Sequence, residues 1–327
     1  MTVRMVVGGD AMLGRLVGKS LMRRGPGWPL GQVSGLFREA DIALVNLECA
    51  ITSSREIWPG APKAFYFGAP ESALKSLTGA GIDIVSLANN HLLDFGYPGM
   101  KDTLTLLDGA GIAHAGAGND LDAASSPARL EKNGIRFALA AYCDHQEDFS
   151  AQPGRPGIRY IDLADERSAL DRFEDGLHGL SGAHWPILSL HWGPNEVERP
   201  SPAFMRLARG AIGMGYAMVY GHSAHVFHGV EFYRGRPIFY SCGDLVDDYQ
   251  VDPVLRNDRQ VVFEIVFGRD SLREVRFHPV VIEDCRTCFA SGEAREWIVL
   301  KMRERCSGLG TVVIDGDPPR LQARGAR

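Results

Sequence analysis

Several side chains of metal-ligand type sit just beyond apolar runs, and they do so repeatedly. Asp10 follows Met-Val-Val-Gly-Gly, and Glu48 follows Ile-Ala-Leu-Val-Asn-Leu. Asn90 and His91 follow Ile-Val-Ser-Leu-Ala-Asn, and His191 follows Pro-Ile-Leu-Ser-Leu. His222 and His225 follow Ala-Met-Val-Tyr-Gly. In an open α/β sheet the carboxyl ends of the strands form one edge, and sites collect there. Carboxylates mixed with imidazoles and an amide suit zinc, manganese or iron. Calcium or magnesium would call for more oxygen donors. The number of groups exceeds one tetrahedral zinc site. It fits two divalent metals about 3.5–4 Å apart sharing a carboxylate, with a hydroxide between them that is nucleophilic at neutral pH.

Each residue also has a plainer reading. Asp10 caps a helix, Glu48 is a solvated loop carboxylate, or Asn90 supplies a turn conformation. His91 and His191 are packed rings at the core edge. His222 and His225, three apart, can reach one point from a turn. Arg15 either clamps an anion in bidentate fashion or makes an ordinary helix ion pair. Glu196 and Asn195 contact substrate or shape their loop, and His228 lines the pocket or serves the structure. Asp244 and Asp247 are partners of the ligands, or caps. Trp192, Phe227 and Tyr249 wall the pocket or pack the core. His114, His145, His178, His184 and His278 belong to no motif.

The elements that must position these groups follow from the hydrophobic pattern. Strands are predicted at 3–7, 41–47, 82–87, 137–142, 186–190 and 217–220. Helices are predicted at 70–80, 100–107, 165–177 and 203–214, and the alternation implies an α/β sandwich with sheets at its centre. From residue 230 the pattern turns hairpin-rich, with strands at 230–233, 237–240, 261–267 and 275–281, then a helix at 292–305. No linker is evident, so one domain over 1–317 is expected. The Pro/Arg/Gly-rich stretch 318–327 is expected to be a disordered tail. The aperiodic segment 144–157 reads as a loop over the site.

Composition excludes several classes. With 45% hydrophobic and 23% charged residues the chain is globular, and a net charge of −5 argues against a broad nucleic-acid-binding face. No run approaches the ~18 apolar residues of a membrane span. No signal peptide is recognised, so the expected location is the cytoplasm. The six cysteines are then reduced thiols, and the lone Cys285-x-x-Cys288 pair lacks the partners of a zinc site.

In order, the motifs Gly-Gly-Asp-Ala-Met-Leu-Gly-Arg, Asn-Leu-Glu, Leu-Ala-Asn-Asn-His-Leu-Leu-Asp-Phe-Gly, Ser-Leu-His-Trp-Gly and Gly-His-Ser-Ala-His run from Gly8 to His225. With Phe-Tyr-Ser-Cys-Gly-Asp-Leu-Val-Asp-Asp at 239–248, they resemble the CapA-type bacterial capsule-synthesis proteins of poly-γ-glutamate production. That family is similar to the calcineurin-like metallophosphoesterases. The resemblance implies an αββα sandwich with mixed sheets. It implies that Asp10 and His225 bind a first metal, that Glu48 bridges, and that Asn90, His191 and His222 bind a second. His91 stands beside the metals as general acid or transition-state stabiliser, its ring oriented by Asp94. Two departures stand out. The wider superfamily has Asp-x-His where this chain has Asp10-Ala11-Met12, so the first metal loses an imidazole. Gly-His-Ser-Ala-His also lacks the proline this branch more often has before its second histidine.

The implied activity is hydrolysis of a phosphoester or a glutamyl-type amide by a metal-bound hydroxide. The substrate is a small molecule or polymer carrying phosphate or glutamyl groups, with Arg15, Glu196 and His228 as candidate contacts. The rival expectations are a non-catalytic scaffold in capsule-polymer synthesis and a cytoplasmic biosynthetic enzyme using the same scaffold on a small molecule.

Overall fold

The computed structural model describes residues 1–325. Two mixed sheets lie at its centre. The ten-stranded sheet runs in the order Thr311–Ile314, Arg320–Ala323, Leu272–Glu283, Arg259–Gly268, Thr2–Ala11, Ile42–Leu47, Ile84–Ser86, Ala113–Ala115. Asp244–Val246 pairs in parallel beside Thr2–Ala11, and Arg286–Phe289 pairs with Leu272–Glu283. The six-stranded sheet runs Val230–Tyr233, Arg236–Phe239, Met218–His222, Trp185–His191, Ile135–Cys143, Ala128–Lys132.

Sequence explains which strands sit where. Ile42–Leu47 is buried at every position, as expected of a central parallel strand covered on both faces. Leu272–Glu283 largely alternates buried with more exposed residues, the signature of an antiparallel strand with one wet face. One apolar core fills the space between the sheets, with Met5, Val45 and Phe263 from the first meeting Phe137, Ile187 and Phe239 from the second. A second core lies where the helices Glu166–His178 and Pro202–Met214 cover the outer face of the six-stranded sheet, through Phe173, Leu207 and Ala211. Asp165 and Ser201 cap these two helices, and Pro202 occupies the first turn of the latter. The arrangement is an αββα sandwich.

Two direct bonds tie the sheets together close to the strand ends. The Tyr220 hydroxyl donates to Gly8 O at 2.7 Å, and the Ser189 and Ser86 hydroxyls lie 3.0 Å apart. The predicted elements are present with small shifts of their ends, and the helix predicted at 100–107 extends over Gly96–Ala110.

The expectation of a disordered tail from 318 is corrected. Arg320–Ala323 is a strand paired on both sides, with Thr311–Ile314 and with Leu272–Glu283. Edge pairing supplies order that the composition hides; residues 326 and 327 of that stretch lie outside the described residues. The 144–157 segment is also more regular than its composition implies. It carries a 3₁₀ turn at Glu147–Phe149, and its end pairs through Gly157–Ile158 with Ala117–Gly118. Among the described residues no helix is long and apolar enough to cross a membrane.

Candidate metal centre

The carboxyl ends of the parallel strands converge where the two sheets meet. Asp10 lies within the Thr2–Ala11 strand and caps no helix, since the following helix Arg15–Arg24 begins after Gly14. In register beside it stand Asn46 on one neighbouring strand and Asp244 on the other. The pairing with Asp244 needs glycine, because a Cβ on Gly9 would fall 1.8 Å from Gly243 O. Asp10 Oδ1 accepts from Asn46 Nδ2 at 2.7 Å and lies 3.3 Å from His222 Nδ1. Its Oδ2 accepts from the Ser223 amide at 2.9 Å and lies 3.7 Å from His225 Nδ1.

Donor atoms fall into two groups, each held within 4.8 Å. One comprises Asp10, His191 and His222. The other comprises Asp10, Glu48, His225 and Asp244. His191 Nδ1 and His222 Nδ1 face one another at 3.0 Å, and His222 Nε2 is held by the Ser189 hydroxyl at 3.0 Å. That hydroxyl fixes the ring so that Nδ1 is the free ligand atom. His225 Nδ1 lies 2.9 Å from Asp244 Oδ1. Asp10 is therefore the carboxylate common to both groups, the place expected for Glu48. Glu48 stands between them as well, its Oε1 3.7 Å from His191 Nε2.

The residues fit a divalent cation. Both Glu48 oxygens, Asn90 Oδ1, His191 Nε2 and Asp244 Oδ2 are buried with no hydrogen-bond partner. Buried polar atoms are ordinarily paired, so a cluster of unpaired ones marks a place where a ligand supplies the partner. Electrostatics agree. Burial and repulsion from Asp10 push Glu48 well above the usual carboxylate range, and burial raises Asp244 despite His225. Burial alone would raise Asp10, but His222 and His225 outweigh it and hold it low. Burial pulls His225 down, yet Asp244, Glu48 and Asp10 hold it well above its ordinary value. Carboxylates crowded away from water want positive charge, and a metal ion provides it.

His91 is set apart from both groups. Its Nδ1 lies 2.6 Å from Asp94 Oδ2, and its ring stacks on Phe67 at 3.6 Å. Burial pushes it down to about 4, with Asp94 opposing. Its Nδ1 is engaged by Asp94 and lies 3.2 Å from Lys63 Nζ, so Nε2 is the ring nitrogen left for another partner. Asp94 is fixed in turn by the Phe67 amide at 2.7 Å and by Lys63 Nζ at 2.5 Å.

The three candidate substrate contacts are not brought together. Arg15 lies over the Phe65 ring at 4.5 Å and 3.4 Å from Asp248, the ion pair of its plainer reading. It lines a cavity of about 690 Å³ with Lys19, Arg23 and Arg55 and no carboxylate. His228 faces a different, smaller cavity beside Trp192 and Phe204, and Val197 O lies 2.6 Å from its Nε2. Glu196 is exposed in its loop. Trp192 and Phe227 pack into the core, whereas the Tyr249 ring lies 4.9 Å from His225.

Sequence reasoning gives no role to two residues near the site, His145 and Lys63, and reads a third, Asp244, only as a partner of the ligands or a cap, whereas it belongs to a donor group. His145 lies edge-on to His191 at 5.6 Å and 3.4 Å from the Ser223 hydroxyl. It follows the strand Ile135–Cys143, so the strand-end rule extended to that strand would have found it. Asp244 repeats the Gly-Asp pair of Gly9-Asp10, which is a usable signal. Lys63 reaches His91 from a loop, and nothing in its spacing announces it.

Fold and site together define an αββα protein with metal-ligand side chains gathered where its two sheets meet. The model of the family described as bacterial capsule synthesis protein PGA_cap matches residues 4–249, and the chain belongs to that family. A Mycobacterium tuberculosis protein named a probable polyglutamine synthesis accessory protein is 37% identical over 231 residues, covering 68% of this chain and 60% of its own length. The capsule biosynthesis protein CapA of Bacillus anthracis is 28% identical over 250 residues, covering 76% of this chain and 60% of its own length. The chain thus spans about 60% of the length of these relatives. Among solved structures, a hypothetical protein from Thermus thermophilus aligns with a TM-score of 0.51 at 15% identity, over 86% of this chain and 100% of that one.

Proposed function

We propose that this chain is a metal-dependent hydrolase acting on an anionic phosphoester or a glutamyl-type amide, with two divalent transition metals (zinc, manganese or iron) as cofactors. The observation that carries the reading is the convergence of buried, unpaired donor atoms from Glu48, His191 and Asp244 in the two groups that share Asp10, with Asn90 Oδ1 buried and unpaired as well. Asp10, Glu48, His225 and Asp244 would hold one metal, and Asp10, His191, His222 and Asn90 the other. Bound there, such ions lower the pKa of water and polarise the scissile group.

The chain's own residues supply the remainder. His91 takes at Nε2 the proton that the attacking water gives up as its new bond forms, and returns it to the leaving group as the scissile bond breaks. Asp94 keeps its Nδ1 protonated and its ring in plane. Lys63 anchors Asp94 and presents a positive charge beside the His91 ring. The cationic cavity of Arg15, Lys19, Arg23 and Arg55 favours a substrate with negative charge. One of its residues approaches His91 indirectly: the Arg15 guanidinium lies 5.6 Å from the ring of Phe67, the ring stacked on His91. The names of the relatives, with their capsule and polyglutamine synthesis, support a glutamyl polymer as the substrate class.

The name of one relative favours a second reading. The Mycobacterium tuberculosis relative is called an accessory protein, which supports a non-catalytic part in polymer synthesis. Metal analysis of the purified chain separates the two. About two ions per chain after reconstitution with zinc, manganese or iron, together with hydrolysis of a phosphodiester or γ-glutamyl substrate, support the hydrolase. No bound metal leaves the accessory reading in its place.

A further inference from the structure

The two donor groups differ in chemistry. Asp10, His191 and His222 give two nitrogens and an oxygen. Asp10, Glu48, Asp244 and His225 give three carboxylates and a single nitrogen. Met12, at the position where the wider superfamily has an imidazole, is not part of either group. Its sulfur accepts from the Gly14 amide at 3.2 Å. A further carboxylate joins the second group from the strand paired beside Asp10. Asp244 stands in register with Asp10 because the Gly9–Asp10 and Gly243–Asp244 dipeptides lie side by side on parallel strands. The Asp10 amide donates to Gly243 O at 2.9 Å. Asp244 is 1% exposed and its Oδ2 meets no amide or basic donor; its carboxylate lies close to His225 and to the buried carboxyl of Asp247.

Resting on the metal-centre reading above, we propose that Asp244 is a metal ligand replacing the missing imidazole, and that the two positions therefore select different metals. The carboxylate-rich position prefers a hard ion such as manganese(II) or ferrous iron. The imidazole-rich position prefers zinc. The centre is then a mixed pair, sorted by ligand type within one site.

A simpler role for Asp244 is to support His225, and the test separates the two. Asp244→Asn keeps an acceptor for the His225 ring but removes the anionic oxygen. The wild-type chain and the variant are each stripped of metal and reconstituted with equimolar manganese and zinc. Metal content is measured by mass spectrometry, and the ions are located by anomalous diffraction at both absorption edges. The expected wild-type result is about one ion of each, with manganese beside Asp244 and zinc beside His191. In Asp244→Asn, manganese binds at least about tenfold more weakly while zinc is retained. The double variant Met12→His with Asp244→Asn, which offers an imidazole to the first position, takes zinc in both. Circular dichroism and thermal melting establish that each variant is folded. Equal filling of both positions by either metal, or an Asp244→Asn variant with unchanged manganese affinity, overturns the inference and leaves the metal centre standing. Failure of the wild type to bind any metal overturns the metal centre itself.

Discussion

The two sheets bring different chemistry to their common edge. The ten-stranded sheet supplies oxygen: Asp10 and Asp244 from its strands, with Glu48 and Asn90 from the turns that follow its strands. The six-stranded sheet supplies nitrogen: His191 and His222 at its strand ends, and His225 just beyond. His145 follows a strand of the same second sheet. Neither sheet alone holds a whole donor group. Each group is assembled only because the sandwich closes, and among the described residues Asp10 belongs to both groups, with Glu48 of one group reaching towards His191 of the other.

That asymmetry can be broken most severely at Asp10. Asp10→Asn is expected to reduce metal content at both positions, from about two ions towards none, whereas His222→Ala loses about one. Metal analysis of the two variants side by side checks this, and equal losses would contradict the sharing of Asp10. Next in size is His91→Asn. It is expected to lower kcat by about 10²–10⁴-fold with metal content unchanged, because His91 stands outside both groups. A parallel loss of metal would instead make it a ligand.

A smaller effect is expected on the scaffold. Gly9→Ala drives a Cβ into the Gly243 carbonyl, which is backbone and cannot turn aside. Overpacking of this kind costs about 1–3 kcal/mol, readable as a lower melting temperature together with weaker binding at the Asp244 position. The six-stranded sheet has its own smaller signature in His228, pushed down to about 4 by burial. Its unfolded form takes up a proton below about 6.5, while the folded form does not until about 4. Stability therefore falls as pH drops through that window and levels off below it. Between pH 6.5 and 5 this amounts to on the order of 2 kcal/mol. His228→Gln should flatten that slope in denaturant titrations of the metal-free protein, and an unchanged slope would assign it to other groups.

Much of this arrangement was legible because each ligand follows a run of β-branched and aliphatic residues, and a strand's end is where a run stops. The runs before Asp10, Glu48, His191 and His222 are buried on both faces, so their hydrophobicity is continuous and easily read. Asp244 was harder. Its strand is only Asp244–Val246, too short for a pattern, and its place is dictated by pairing with residues more than two hundred positions away. Lys63 belongs to a loop whose path no periodicity records. The strand Arg320–Ala323 lies in a Pro/Arg/Gly-rich stretch and owes its order to neighbours on either side. What spacing cannot show is contact across the fold, and these residues act only through such contact.

Because the donors are divided between the sheets, an ion at the centre is also a cross-link. It would strap the Asp10 edge to the His191 and His222 edge, beside the Tyr220–Gly8 and Ser189–Ser86 bonds that already span the seam. Ligands that bind only the folded state stabilise it by mass action. The stiffness of this seam then becomes a gauge of metal supply: amide hydrogens near Asp10 and His222 exchange slowly when metal is plentiful and faster when it is withdrawn.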